Sequence, residues 1–437
     1  MQSKLFFIAV FSLLNISVFA QNNLLSPDSA IAIALKNNYR VQIARNDNEA
    51  LKNLNSPGFA GMLPQINANA STNSAINNTK QEYSNGLDVD QKNVKADNLT
   101  AGVTLVWTLF DGTKMFVTKS KFSEQSFRGD QNLKADIENT IEKIVASYYS
   151  IVQQKQILKA IDEELTYSQE RLKIAERKFS NGSGSKLDVL QAKTDMNAQR
   201  SSQLQQRTRL EEIKNNLNVL LARKPDTEFN VADTVIISYK PQLEQLRTSY
   251  EGKNYGLLSA KSNIRISELE LKELSSQRYP KINFNGSYLF SKNKNEAGFI
   301  LLNQNTGFNY GFTATLPLFS GFNLNRQVRN ARLNILSSQL EYNNLRAETE
   351  SSLLIAFREF NDNLQLLNIE EENISLAKER MDITFERFRV GAANSLEVSE
   401  AQRTYEEAMS RLASARFNTK LSETALMKLN GDLVTSW

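Results

Sequence analysis

Apolar residues recur at every seventh position along two stretches of the chain. Ile137, Ile144, Ile151, Leu158, Leu165, Leu172 and Phe179 form one unbroken column, and Leu353, Phe360, Leu367, Ile374, Met381 and Phe388 form another. Partner positions such as Ile141, Tyr148, Phe357, Leu364 and Phe385 fill a second column, interrupted by Lys155, Asp162 and Glu371. A sustained heptad predicts helices packed side by side in coiled-coil fashion. No proline falls within 111–180 or 320–390, so each stretch is expected as one helix. At 1.5 Å per residue, 70 residues would span ~105 Å, longer than a compact globule needs. Each pattern stops at a glycine, Gly182 or Gly391, and resumes after a short turn as a return helix, about 187–222 and about 395–430. The return helices are rich in Gln, Asn, Ser and Ala, which suits a wall with water on one face.

Ahead of each long helix the period changes from seven to two. After Pro64, Ile66, Ala68 and Ala70 alternate with Asn67, Asn69 and Ser71; after Pro280, Ile282, Phe284, Tyr288 and Phe290 oppose Asn283, Asn285, Ser287 and Ser291. The alternation lapses over about 76–98 and about 292–307, read as polar loops. It then returns with Val103, Leu105, Trp107 and Leu109, and with Phe308, Tyr310, Phe312, Leu316 and Leu318. Four strands of about ten residues are predicted, apolar on one face and Asn/Ser/Thr/Gly on the other. Such a face suits a membrane β-barrel strand, with lipid on one side and water on the other; a half-exposed sheet of a soluble domain fits the strands equally well. Four strands cannot close a barrel, and an open edge is not tolerated in lipid, so a barrel would need several chains. A further helix precedes each strand pair, near 27–55, where Ser26-Pro27-Asp28 is a start signal, and near 241–277. The apolar run Phe299–Leu302 fits neither pattern.

The two halves are copies. Leu109-Phe110-Asp111-Gly112 recurs as Leu318-Phe319-Ser320-Gly321, and Leu187 matches Leu396, both at an offset of 209 (318 minus 109, 396 minus 187). Asn38-Tyr39 recurs as Asn254-Tyr255, and Pro64 as Pro280, at an offset of 216 (254 minus 38, 280 minus 64). The change of offset places seven extra residues between Pro64 and Leu109, expected in a surface loop.

Composition removes alternatives. With no cysteine and no histidine among 437 residues, disulfides, thiol nucleophiles, Cys/His zinc sites and Ser-His-Asp hydrolysis are excluded. The net charge of +4 argues against a nucleic-acid partner. No Gly-Lys-Ser/Thr follows Gly182-Ser183-Gly184, so that turn is not a phosphate loop. No cofactor and no catalysis are expected. Residues 1–20 combine Lys4, an apolar stretch from Leu5 to Leu14 and small residues near Ala20, the pattern of a secretory signal peptide. The mature chain is expected to begin at Gln21 without a lipid anchor, since no cysteine is present to carry one.

The tip sequences Arg177–Ala192 (RKFSNGSGSKLDVLQA) and Arg387–Ala401 (RFRVGAANSLEVSEA) share Phe-x-x-Gly-x-x-x-x-Leu-acid-Val. Together with the duplicated Leu-Phe-x-Gly junction, they make the chain resemble the TolC-type outer-membrane efflux family along its whole mature length. The resemblance implies an α+β membrane protein, internally duplicated, with a long α-helical coiled-coil barrel and a transmembrane β-barrel of four strands per protomer closed as a trimer. The first repeat would occupy 21–230, with strands at about 64–109 and a helical hairpin at about 111–222. The second would occupy 231–437, with strands at about 280–318 and a hairpin at about 320–430. It also implies a passive exit duct for efflux or type I secretion, working with a periplasmic adaptor and an inner-membrane pump and embedded in outer-membrane lipid. Gly182, Leu187, Gly391 and Leu396 match the family's adaptor-docking tips. Glu397 and Glu400 match acids that ring the closed aperture, and Asp188 an acid of the first-half tip. Where the family's archetype carries a basic latch residue, this chain has Ala393, which removes one candidate for neutralising the acidic mouth and leaves open whether the closed state uses the family's latch. Acids at a helix N-terminus are favoured in any case, which is the plain alternative for all three. A periplasmic coiled-coil protein without a pore would explain the heptads but not the aromatic strands.

Overall fold

The computed structural model describes residues 24–84 and 86–436; the signal peptide expected at 1–20 lies outside the described residues. In chain order the elements are β1 (Leu24–Leu25), α1 (Pro27–Asn37), α2 (Tyr39–Leu54), β2 (Gln65–Glu82), β3 (Asp88–Phe110), α3 (Lys114–Ser180), α4 (Lys186–Leu220), β4 (Asn230–Val231), α5 (Leu243–Lys253), α6 (Tyr255–Ser275), β5 (Lys281–Asn295), β6 (Leu302–Thr315), α7 (Asn323–Arg389) and α8 (Ser395–Asn430). They form two compact units. Of the described residues, one comprises those up to Ile43, those within Lys134–Asn254 and those from Glu348 on; the other comprises those within Ala44–Leu133 and Tyr255–Ala347. No helix among the described residues is long and apolar enough to cross a membrane.

The first unit is helical, and the heptad columns supply much of its core. Ile144, Ile151 and Leu353 are fully buried, with Phe360 and Met381 nearly so. Fully burying one such side chain stabilises by about 1.5–3 kcal/mol. The polar interruptions of the second column all have partners. Lys155 pairs with Asp233 at 2.6 Å, Asp162 accepts from Gln203 at 2.5 Å, and Glu371 meets Arg416 at 3.3 Å. Tyr148 donates its hydroxyl to the Leu25 carbonyl at 2.8 Å, beside the short parallel pair β1–β4, which the sequence pattern does not announce.

Each helix predicted before the strands is two helices, and the repeated Asn-Tyr explains why. Asn38 leaves the helical region, and its Oδ1 accepts from the amides of Arg40 (2.9 Å) and Val41 (3.3 Å), capping α2. Its amide donates to the Leu220 carbonyl at 2.7 Å; the matching Asn254 donates to the Leu429 carbonyl at 3.0 Å. An asparagine at the break therefore ties the preceding helix to the end of a return helix in both copies.

The second unit contains a four-stranded antiparallel sheet in the order β2-β3-β5-β6. Register brings the apolar positions into rows: Trp107–Phe284–Phe312, Ile66–Leu105–Gly286–Tyr310, and Ala68–Val103–Tyr288–Phe308. These rows share one face, and much of it is exposed, with Phe312 at 71% and Tyr310 at 73%. The Trp107 indole donates to the Met62 carbonyl at 2.9 Å.

The strands are longer than the alternation predicts, at 18, 23, 15 and 14 residues. The stretch read as a loop at 76–98 is mostly ladder, with β2 running to Glu82 and β3 starting at Asp88. A backbone ladder needs no apolar face, so pairing continues where both faces are polar and period two disappears. The seven extra residues lengthen this hairpin instead of forming a loose loop. The run Phe299–Leu302 also finds a place: the Phe299 ring packs edge-on against Tyr83, centroids 4.8 Å apart, bringing the two hairpin ends together.

Candidate functional site: the hairpin tips

Both helical hairpins turn in the same way. At the first tip Ser183 N–H donates to the Lys178 carbonyl (2.9 Å) and Gly182 N–H to Phe179 (3.1 Å); at the second Ala392 donates to Arg387 (2.7 Å) and Gly391 to Phe388 (3.1 Å). This paired closure requires a left-handed residue after the helix, and Gly182 and Gly391 have φ of 73° and 85°. Open space surrounds the position a Cβ would take at either glycine. Leu187 and Leu396 stand 71% and 77% exposed beside them. The first tip thus carries Gly182, Leu187 and Asp188 together, and the second carries Gly391, Leu396, Glu397 and Glu400.

The acids divide into two kinds. Asp188 and Glu397 each complete a capping box. Asp188 accepts from the Ser185 amide at 3.3 Å, and Glu397 from the Asn394 amide at 3.2 Å while its own amide donates to the Asn394 side chain at 2.9 Å. For these two the plain alternative of a favoured helix N-terminus is met locally. Glu400 caps nothing. Its carboxylate takes two bonds from Arg403 Nη2, at 2.8 and 3.0 Å, and Arg403 also reaches Glu407 at 3.2 Å. The Arg403 guanidinium holds the Glu400 carboxyl below the usual carboxylate range. Glu397 lies 3.9 Å from Arg387, which donates to the Ala392 carbonyl at 3.1 Å. The second tip therefore does not lack cations despite Ala393: they come from Arg387 and Arg403. The spacing Glu400-x-x-Arg403, one helical turn, was the signal for the stronger pair.

Leu376, Arg380, Ile383, Leu396, Glu397 and Glu400 line an open groove of about 710 Å³ between α7 and α8. The two tips are tied by Lys178, whose ammonium donates to the Phe388 carbonyl at 3.1 Å and lies 4.7 Å from the centre of the Phe388 ring.

Further along the hairpins lies a buried polar network. Arg171, fully buried, pairs with Asp195 and donates to Gln402 at 3.1 Å, and Gln402 donates to Ser168 at 3.3 Å. Tyr405 donates to Glu163 at 3.1 Å and Tyr167 to Asp382 at 2.9 Å. Glu164 is fully buried, and neither carboxylate oxygen has a hydrogen-bond partner. Burial, reinforced by the charge of Glu406, pushes its carboxyl up to about 8. Glu164, Arg171 and Lys178 repeat at seven beside the apolar column, a polar column that the apolar pattern obscured.

The profile of the family described as outer membrane efflux protein matches residues 30–223 and 251–432. The chain belongs to this family. It is 21% identical over 332 residues to the outer membrane efflux protein BepC of Brucella suis, covering 76% of this chain and 72% of that protein. It is 20% identical over 364 residues to the outer membrane protein TolC of Escherichia coli, covering 80% and 73%. Its fold is similar to the outer membrane protein VceC of Vibrio cholerae, with a TM-score of 0.75 at 16% identity over 93% of this chain and 96% of that one. As an outer-membrane efflux protein of the TolC type, the chain acts as a transport channel, and the two matched segments fall on its two copies.

Proposed function

We propose that three copies of this efflux protein join their sheets into one twelve-stranded barrel, with the α3–α4 and α7–α8 hairpins forming a conduit on the periplasmic side. The observation that carries this reading is the exposed aromatic face on a sheet whose outer strands, β2 and β6, each have a free edge. In hydrocarbon an unpaired edge costs several kcal/mol per orphaned group, and membrane barrels start at about eight strands. Joining β2 of one copy to β6 of the next removes every edge. The channel then passes substrate from an inner-membrane pump and a periplasmic adaptor, which meets the tips at Gly182, Leu187, Gly391 and Leu396. Asp188, Glu397 and Glu400 border the periplasmic aperture, with Arg403 and Arg387 setting their charge. The chain carries the path and no reaction.

A cysteine-free chain permits a direct test. Single cysteines on the two edges, Ser71→Cys combined in turn with Asn305→Cys, Gly307→Cys and Asn309→Cys, are oxidised in outer-membrane vesicles. A ladder ending at a covalent trimer is expected for at least one pair. Monomer alone for every pair would remove the edge-to-edge barrel.

A further inference from the structure

The sheet separates its charges by face and by end. Beyond the aromatic rows, the apolar face continues as Ala70–Ala101–Phe290–Thr306, then Thr72–Leu99–Lys292–Gln304, then Ser74–Asp97–Lys294–Leu302, and Lys95 follows opposite Ile76. Three lysines thus appear where the apolar band stops. The opposite face contains no ionisable residue in any row from Thr108–Asn283–Thr313 to Asn73–Asn98–Asn293–Asn303. At the helix-proximal end of the apolar face the corresponding positions are Ile282, Ala314 and Leu316, without a cation. A water-filled lumen solvates a charge readily, yet the polar face has none in these rows; the lysines lie on the apolar face, which the barrel proposed above turns to lipid, and at one end of it only.

Height supports the same placement. At about 3.4 Å per residue and a tilt of about 40°, the stretch from Thr306 to Leu316 rises about 26 Å, close to the apolar band of about 25 Å in such barrels. The lysines begin in the next row, at headgroup level. The hairpin end is opposite the strand ends at Phe110 and Thr315 that lead into α3 and α7, so in the assembly proposed above it faces the outer leaflet. Two carboxylates stand nearby. Asp97 lies 3.5 Å from Lys95 and accepts from Ser74 at 2.6 Å, and Glu296 accepts from the Lys95 amide at 3.3 Å. The row of Lys292 contains no carboxylate.

We propose that Lys292 and Lys294, with Lys95 beside them, bind the phosphate groups of the phosphorylated glycolipid of the outer leaflet. The inference rests on the barrel reading. Aromatic rings below would pack on the acyl chains while the ammonium groups reach the phosphates.

The test uses the full-length protein in detergent, with native mass spectrometry of bound bis-phosphorylated lipid A and of the same lipid dephosphorylated. Wild type is expected to retain the phosphorylated form preferentially. The double variant Lys292→Gln/Lys294→Gln should lose roughly 10- to 30-fold of that retention, the factor for two lysines near an anionic headgroup surface. Lys281→Gln, on the opposite face, should leave it unchanged. Equal retention of both lipids by wild type, or an undiminished preference in the double variant, would overturn the site. Insertion of wild type and variants into phosphatidylcholine liposomes, read by protease protection, is scored separately. Wild type that fails to insert overturns the barrel itself, whereas insertion without phosphate preference overturns the lipid site alone.

Discussion

In the sheet Phe308, Tyr310 and Phe312 are 63%, 73% and 71% exposed, whereas in the helical unit Arg171 and Glu164 have no exposure at all. The usual rule, apolar inside and charged outside, is inverted on the sheet and broken at these two residues of the helical unit, for different reasons. The sheet has an apolar face far too continuous for a surface that meets only water, the face that the proposed barrel turns to lipid. The helical unit buries Arg171 because Asp195 and Gln402 receive its guanidinium, and it buries Glu164 without a hydrogen-bond partner, which favours the protonated carboxyl. In the proposed barrel the sheet is completed by its surroundings, whereas Arg171 finds its partners within the chain.

The comparison breaks most sharply at Arg171. Replacing it with alanine leaves Asp195 without its cation, and the helical unit should lose about 3–5 kcal/mol, seen as an earlier helical melt by circular dichroism. Wild-type melting would mean that the network adds nothing. On the sheet, Phe312→Arg should cost about 2–4 kcal/mol if it lies near the bilayer midplane, and its neighbour on the polar face, Thr313→Arg, clearly less. Urea titration of protein inserted in liposomes measures both. Equal penalties would make the two faces equivalent and return the sheet to water.

A smaller effect sharpens the contrast through pH. Glu164 titrates at about 8 in the fold because burial disfavours its charge, against an ordinary value of 4.5 when unfolded. Folding then holds its proton, so its contribution is complete below about 4.5 and is lost as pH rises through about 8. Glu164→Gln should therefore gain roughly 1–2 kcal/mol relative to wild type between pH 6 and pH 8. Melting temperatures of the pair across that range decide it, and parallel curves would place the carboxyl in contact with water. The smallest change in stability belongs to the tips. Glu397→Ala/Glu400→Ala should lower cation selectivity in planar bilayers while moving the melt by less than about 1–2 kcal/mol. Arg403→Ala should raise selectivity by releasing Glu400. An unchanged reversal potential in both would remove these residues from the aperture.

Much of this arrangement was legible because it is periodic. Heptads predicted α3 and α7, and alternation predicted which strand residues share a face. Even the Asn38/Asn254 repeat, visible only as a match, proved to mark a helix break. The sequence was silent where pairing needs no periodic side chain. Polar residues 76–98 extend a ladder held by backbone alone, and the parallel pair β1–β4 joins two dipeptides far apart in the chain. At the tips, matching of aligned positions pointed to a missing cation at Ala393. Geometry instead supplied one from Arg403, a helical turn beyond Glu400, because charge compensation depends on distance and not on alignment column.

The rows of asparagine, serine, threonine and glycine on the polar face of the sheet have a consequence for traffic. In the proposed barrel that stretch of wall holds no fixed charge, hence no counterion cloud of its own and no electrostatic trap for a passing ion. Its conductance should follow bulk electrolyte concentration without the low-salt plateau of a charged pore. Cations, anions and neutral molecules meet the same wall, so this part of the channel sorts its cargo by girth alone.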